Sequence, residues 1–439
     1  MNENTVILNK EQEQAKNMIV KWFTNQDNKK QCFILTGYAG TGKTFLIQYV
    51  TTNILKLNIN DVAYVAPTGK AASVLIQRGV YDATTIHRLI YNRVEVIYKT
   101  RINNKIIKSK RTEFVKKPTI KNYKLIVLDE ASMVEKKVMS DLLSFGIPII
   151  CCGDIGQLPA IGANSNILEK PDINLTEVVR QESGNSIITL ATYARNNMTL
   201  RDGNYGNVIV TNRNALTNSQ YKNILLSADQ ILCGRNVTRR KLNQEIKEYL
   251  GYDTKKVNNG EKIICLLNNW DTYLDIDQKY SLVNGIIGNV TNINSVESTD
   301  PFLGKLDFKP EFLDEECQDL IYDASIFSNS EFKYDFHTQV YLMEDGSYQV
   351  KVPFASKKDD ETQQEFSARI RSLALSKRDA ICTEQLNFFD SAYAISVHKS
   401  QGSEWNNVLL FDESFCFNEP SKWLYTGITR AKKNLVIIK

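Results

Sequence analysis

One octapeptide limits this chain more than any other feature. Gly37-Tyr-Ala-Gly-Thr-Gly-Lys43-Thr44 fits G-x-x-x-x-G-K-[ST] at every fixed position. It follows the apolar run Cys32-Phe-Ile-Leu35 and precedes Phe45-Leu-Ile-Gln-Tyr-Val50, the order strand, glycine turn, helix. Such a turn points backbone N–H groups inward onto phosphates, and the helix N-terminus adds its positive dipole end. Gly37, Ala39, Gly40, Thr41, Gly42, Lys43 and Thr44 are therefore the candidate nucleotide-binding residues. Lys43 would reach the β- and γ-phosphates, and the Thr44 hydroxyl would ligate Mg²⁺. A second run, Leu125-Ile-Val-Leu128, ends in Asp129-Glu130. Beside a phosphate loop this pair reads as a magnesium-binding Asp129 and a Glu130 that orients and deprotonates water. Together these residues indicate ATP hydrolysis, with ATP and Mg²⁺ as the implied ligands.

The surrounding pattern fits that site. Val62–Ala66 and Ile149–Cys152 are further continuous apolar runs, separated by helix-length segments such as the one presenting Ala15, Met18, Ile19, Trp22 and Phe23 on one face. Continuous apolar strands alternating with helices predict an α/β fold with a parallel sheet covered on both faces. Ligands then sit at the carboxyl ends of the strands. Residues 91–121 interrupt the pattern as a basic hairpin. From about Gly260 to 385 the strands are short, with a hairpin at Val340–Met343 and Tyr348–Val352 around Asp345-Gly346. Apolar strands return at Ala392–Val397, Val408–Phe411 and Leu435–Ile438. The expected domains are 1–180 with the hairpin inserted, 181–258 plus 386–439, and a β-rich insertion at 259–385.

Composition excludes several classes. The chain is 42% hydrophobic and 24% charged, which rules out general disorder. No apolar run reaches the roughly 18 residues of a membrane helix, and the N-terminus lacks signal-peptide character, so a cytoplasmic location is expected. Eight cysteines without a C-x-x-C pair, and three histidines, argue against structural zinc. Charge is polarised. Tyr91 to Lys124 holds eleven Lys/Arg against two Asp/Glu, and Glu297 to Glu365 holds six against seventeen. One face is thus suited to a polyanion and another is not.

Further clusters form an ordered series: Ala66-Pro-Thr-Gly-Lys-Ala-Ala72, Ala83-Thr-Thr-Ile-His87, Asp129-Glu-Ala-Ser-Met133 and Gly153-Asp-Ile-Gly-Gln157-Leu-Pro-Ala160. They continue with Leu175-Thr-Glu-Val-Val-Arg180-Gln181, Val283-Asn-Gly285, Val397-His-Lys-Ser-Gln-Gly-Ser-Glu404 and Tyr425-Thr-Gly-Ile-Thr-Arg430-Ala431. The series resembles superfamily 1B DNA helicases, the RecD-like and Dda-like group. The resemblance implies two RecA-like P-loop domains with ATP between them, a small β-hairpin insertion in the first and an SH3-like insertion in the second. It implies a γ-phosphate-sensing Gln157, arginine fingers Arg180 and Arg430, and a ribose contact at Glu404. It also gives Gln12 the adenine edge. From the residues alone Gln12 reads instead as the capping-box partner of Asn9, and one amide cannot easily serve both roles.

By the same resemblance Pro67, Thr68, Thr85, His87, His398, Lys399 and Ser400 line a single-stranded DNA channel. Hydroxyls, backbone N–H groups and one lysine suit phosphate contacts without base reading. The basic 91–121 segment corresponds to a duplex-splitting pin, with Ile97, Tyr98 and Phe114 as candidates for its tip. The expected substrates are single-stranded DNA and single-strand/duplex junctions. Single-strand-binding or replication proteins are the expected partners, and the expected active form is a monomer. The implied activity is 5′→3′ translocation and unwinding. An RNA helicase, a non-unwinding translocase and a nucleotide-switched partner loader are the alternatives. Each phosphate neutralised on a single strand adds about −0.7 to the slope of log affinity against log salt. Removing two lysines from the 91–121 segment is therefore expected to flatten that slope by about 1.4 in single-strand binding titrations. An unchanged slope would separate the segment from DNA.

Overall fold

A computed structural model describes the chain apart from residues 1–6, 26–29, 81, 103–104, 160–165, 179–185, 255–256, 267, 275–279, 295–304, 313–323, 326–338, 343–347 and 352–388. The described residues divide into two units: 1–96 with 112–235 and 396–439, and 97–111 with 236–395.

The first unit holds two sheets. The first has strand order Thr84–Thr85, Val62–Ala66, Leu125–Leu128, Ile149–Gly153, Cys32–Gly37, Ile173–Leu175. All five pairings are parallel. Its strands are nearly all apolar because both faces are covered. On one face the helix Lys10–Thr24 buries Ala15, Ile19 and Trp22 against Phe33, Leu35, Leu46 and Ile150. On the other, Ile86, Leu89 and Ile90 meet Val138, Leu142 and Cys151. Cys152 is also buried, and burial raises its thiol pKa well above the usual range.

The second sheet has six strands in the order Ala394–Ser396, Gln230–Cys233, Trp405–Phe411, Ala431–Ile438, Val208–Thr211, Gly203–Asn204; the pairings from Gln230–Cys233 to Val208–Thr211 are parallel and Gly203–Asn204 is antiparallel at the edge. Four helices matter for the site: Lys43–Tyr49, Gly69–Gln77, Ser186–Arg195 and Pro420–Ile428. The basic segment forms a two-stranded hairpin of Tyr91–Ile102 and Lys105–Lys116.

The second unit is β-rich. Five antiparallel strands run in the order Ala324–Ser325, Lys305–Pro310, Ile287–Asn294, Lys262–Cys265, Phe389–Ser391. Val290, Leu306, Phe308 and Phe389 form its core. Gly288 permits the close strand approach, since a Cβ there would stand 2.2 Å from the Lys309 carbonyl. Gln339–Leu342 and Tyr348–Lys351 pair as expected, while the turn between them lies outside the described residues. Most of the acidic 297–365 stretch also lies outside them. The strand expected at Ala392–Val397 spans Ala394–Ser396. The helix Asn236–Tyr249, expected with the second α/β domain, groups with this β-rich unit. Asn243 anchors the helix: its side chain donates to the Ser391 carbonyl (3.1 Å), and it donates to the Ala394 carbonyl (3.0 Å) and accepts from the Ala394 N–H (2.8 Å) at the start of the strand Ala394–Ser396.

No helix among the described residues is long and apolar enough to cross a membrane. Asn243→Ala would strand three buried backbone groups, each left without its partner. It is expected to lower the stability of the β-rich unit by about 3 kcal/mol, read as a lower denaturant midpoint. A midpoint within experimental scatter of the parent would refute this account of the anchor.

A candidate active site at the phosphate loop

The loop leaves the carboxyl end of strand Cys32–Gly37, between two parallel neighbours. Gly40 and Gly42 have φ of +81° and +78°, where side chains are strained. At Gly37 a Cβ would come within 2.8 Å of Thr41 Oγ1 and 2.9 Å of the Leu175 carbonyl. The Lys43 ammonium donates to the carbonyls of Gly37 (2.8 Å) and Tyr38 (2.9 Å). Thr44 Oγ1 donates to Asp129 Oδ2 at 3.3 Å, and Asp129 Oδ1 accepts the Glu130 N–H at 2.9 Å. A hydroxyl and one carboxylate, both hard oxygens, fit a magnesium ion whose other ligands are phosphate oxygens and water. No group of three or more His, Cys, Asp or Glu among the described residues could hold a metal by itself.

Glu130 has φ +50°, an uncommon conformation for a side-chain-bearing residue. Burial, followed by the Asp129 charge, pushes its pKa up to about 7, while Arg430 and Lys43 oppose the rise. The two strand-end acids of the first sheet therefore share one electrostatic environment with Arg430, which follows the helix Pro420–Ile428. Arg430 is buried. It donates from Nε to the Thr426 carbonyl (3.0 Å), from Nη1 to the Ser403 carbonyl (3.2 Å) and from Nη2 to Thr429 Oγ1 (2.9 Å). Gln157 is buried too. Its Nε2 donates to Asp154 Oδ2 at 3.3 Å, and its Oε1 has no protein partner. A buried acceptor left open in this way suits a group that holds a water.

Gln12 takes the capping role that the residues alone suggested. Its N–H donates to Asn9 Oδ1 (2.8 Å), and its Oε1 accepts the Asn9 N–H (3.2 Å). Its Nε2 donates to the Thr41 carbonyl at 3.1 Å, so the amide braces the phosphate loop. The amide keeps its second N–H and a second lone pair, so the cap does not by itself displace the adenine-edge role. A cavity of about 290 Å³ lies elsewhere, between Tyr38, Ala39 and Gly40 of the loop, the helix Ser186–Arg195, and Glu404. Arg195 stacks on the Tyr38 ring at 3.6 Å. Glu404 also faces Arg78, at 3.9 Å.

The channel residues divide. Thr68 and Thr85 cap helices, accepting from the Ala71 and Arg88 N–H groups at 3.2 Å each. Thr85 and Ser400 are buried, and Ser400 Oγ donates to the Val397 carbonyl at 2.7 Å. Direct hydroxyl contacts from these two are thus corrected to structural roles. Pro67, His87, His398 and Lys399 keep partial exposure. Burial lowers the His87 pKa below the usual imidazole range. Its ring meets Tyr91 (5.3 Å) and Phe114 (5.5 Å), and His398 meets Phe417 (5.5 Å). Phe114 therefore belongs to the foot of the hairpin near Lys116, at the opposite end of its strand from Lys105, and drops out as a tip residue. Ile97 and Tyr98 lie in the strand Tyr91–Ile102, with side chains outside the described residues. Arg180 also lies outside them.

Sequence reasoning gave no role to Tyr425, Asp154, Tyr38 or Arg195. Tyr425 and Asp154 sit inside motifs already quoted, which was the available signal.

Two α/β sheets with a phosphate loop on one and a buried arginine from the other define a P-loop nucleotide-binding chain. Comparisons with known proteins agree. Residues 7–210 match the AAA domain model, and residues 391–438 match the UvrD-like helicase C-terminal domain. The ATP-dependent RecD2 DNA helicase of Deinococcus radiodurans is 32% identical over 36% of this chain and 21% of its own length. The ATP-dependent DNA helicase dda of Enterobacteria phage T4 is 23% identical over 97% of this chain and 98% of its own. A crystal structure of Pif1 helicase from Bacteroides with ADP-AlF3 and ssDNA shares the fold at TM-score 0.50 and 16% identity, covering 98% of this chain and 92% of that one. The chain spans 38%, 35% and 21% of the lengths of the first three curated relatives it matches. The chain is thus similar to helicases of the RecD, Dda and Pif1 type.

Because Glu130 binds its proton more tightly folded than unfolded, the native state holds more protons between its usual pKa of 4.5 and about 7. Stability of the protein without metal or nucleotide is therefore expected to fall as pH rises through that window. Glu130→Gln should remove this contribution, so denaturant midpoints of the variant gain on the parent toward pH 7. Parallel midpoint profiles would contradict the buried-acid reading.

Proposed function

We propose that this chain is an ATP-dependent DNA helicase that moves 5′→3′ along single-stranded DNA and unwinds duplex, with hydrolysis at the junction of two RecA-like domains. The supporting domains are 1–180, with the hairpin at 91–121, and 181–258 plus 386–439. An SH3-like insertion occupies 259–385. The observation that carries the reading is the convergence of Lys43, Asp129 and Glu130 on one sheet with Arg430 from the other, beside the open acceptor of Gln157.

In this reading Lys43 exchanges its loop carbonyls for phosphate oxygens. Thr44 and Asp129 hold magnesium, which supplies positive charge to the transferring phosphoryl group. Glu130 takes the proton of the attacking water, whose position Gln157 fixes. Arg430 swings from the Thr426 and Ser403 carbonyls to the charge that develops on the phosphoryl oxygens, with Arg180 as its companion. The base and ribose occupy the cavity beside Tyr38, Arg195 and Glu404, and Gln12 braces the loop from behind. Since Arg430 comes from a separate sheet, hydrolysis and the approach of the two domains are linked. Alternating grip by the His87 and His398 regions then advances the strand. Its contacts are to backbone and ring faces, which suits a motor that must pass every base.

The polarity and the DNA substrate rest on family likeness and on what relatives are named for. Unwinding of duplexes with 5′ or 3′ single-stranded tails, with Lys43→Ala as control, tests function and direction together. Unwinding of 5′-tailed duplex only, abolished in the control, is expected. ATP turnover that is equal with and without DNA would defeat the motor reading, and stronger stimulation by RNA would favour the RNA alternative. Arg430→Ala is expected to bind single-stranded DNA nearly as the parent does and to lose about three decades of turnover. Near-normal turnover would remove Arg430 from the role.

A further inference from the structure

The helix Pro420–Ile428 carries a buried tyrosine whose hydroxyl is fully engaged. Tyr425 Oη donates to Asp154 Oδ2 at 2.8 Å and accepts the Ala39 N–H at 3.1 Å. One phenol thus joins the phosphate loop, the end of strand Ile149–Gly153 and a helix of the second sheet. The ring has its own reason to be aromatic. It lies on Gly156, where a Cβ would come 3.0 Å from it, and meets Tyr38 edge-on at 6.5 Å. That packing explains a ring and leaves the oxygen to be explained.

The oxygen acts through Asp154, which is buried. Its Oδ1 accepts the Gly156 N–H at 2.8 Å. Its Oδ2 accepts both the Tyr425 hydroxyl and the Gln157 amide Nε2. The carboxylate oxygen that orients the Gln157 amide is therefore the one Tyr425 holds. Fixing Nε2 fixes where Oε1 points, and Oε1 is the acceptor with no protein partner. The same helix grips the turn again: the Leu158 N–H donates to Thr426 Oγ1 at 2.9 Å. Gln401 Nε2, also from the second sheet's part of the chain, donates to the Leu158 carbonyl at 2.7 Å. Arg430 in turn hangs on the Thr426 carbonyl. One helical turn therefore touches both the residue read as positioning water and the residue read as stabilising charge.

We propose that Tyr425 is a positioning residue for hydrolysis: its hydroxyl, acting through Asp154, sets the Gln157 amide when the helix bearing Arg430 is in place. This rests on the reading of Gln157 given above. Tyr425 touches neither water nor phosphate in this scheme. It makes the aim of Gln157 depend on the position of the second sheet, so that both groups come into register together.

The test is a double-mutant cycle in DNA-stimulated ATP turnover with Tyr425→Phe, Gln157→Ala and the pair. Tyr425→Phe removes one oxygen and keeps the ring. It is expected to lower kcat about tenfold with KM for ATP nearly unchanged, and to lower the thermal midpoint modestly because the Ala39 N–H loses its partner. In the Gln157→Ala background the same change should have no further effect, because the group it positions is gone. Asp154→Asn, as a second route to the same link, should lower kcat and be absorbed by Gln157→Ala in the same way. Tyr425→Phe with the parent's kcat, beside an impaired Gln157→Ala, overturns the proposal and spares the functional reading. Effects of Tyr425→Phe and Gln157→Ala that multiply independently also overturn it. Gln157→Ala with the parent's kcat overturns the functional reading of Gln157 itself.

Discussion

A parallel sheet ends every strand on one side, and the rest of this molecule depends on that. The phosphate loop after Gly37, the acids Asp129 and Glu130, and Asp154 all follow the carboxyl ends of neighbouring strands. Chain connectivity scatters them over more than a hundred residues, and strand register collects them. Both faces of the sheet are buried, so register is held by packing and by the ladder alike, and the polar residues have only the strand ends left to occupy.

That collection carries an electrostatic cost. Glu130, Asp129 and Asp154 are close enough for like charge to raise the Glu130 pKa. Lys43 and Arg430 offset it, one from each sheet. A guanidinium held on the carbonyls of Thr426 and Ser403 is satisfied locally, yet it still stabilises the acids at longer range. The second sheet thus contributes to the site through charge as well as through direct hydrogen bonds.

The fold was legible where local signals are strong. The loop octapeptide, the apolar strands and the Asp129-Glu130 end required only residue type and spacing. Asn9 and Gln12 are three residues apart and form the capping box the pattern predicts. What stayed hidden was long-range. Tyr425 and Asp154 are 271 positions apart, and no spacing rule links them. The stacking of Arg195 on Tyr38 is of the same kind. Ser400 misled because a serine in a polar motif reads as a surface group, whereas its hydroxyl closes a buried turn.

The Lys43 ammonium rests on two carbonyls of its own loop. Its charge is solvated by the backbone before any anion arrives, and the glycines already hold the curvature a triphosphate needs. Capture of fuel then amounts to a swap of acceptors on a finished template, with little chain entropy to surrender. For the proposed reaction, a template of that sort leaves the binding step little rearrangement of the loop to make.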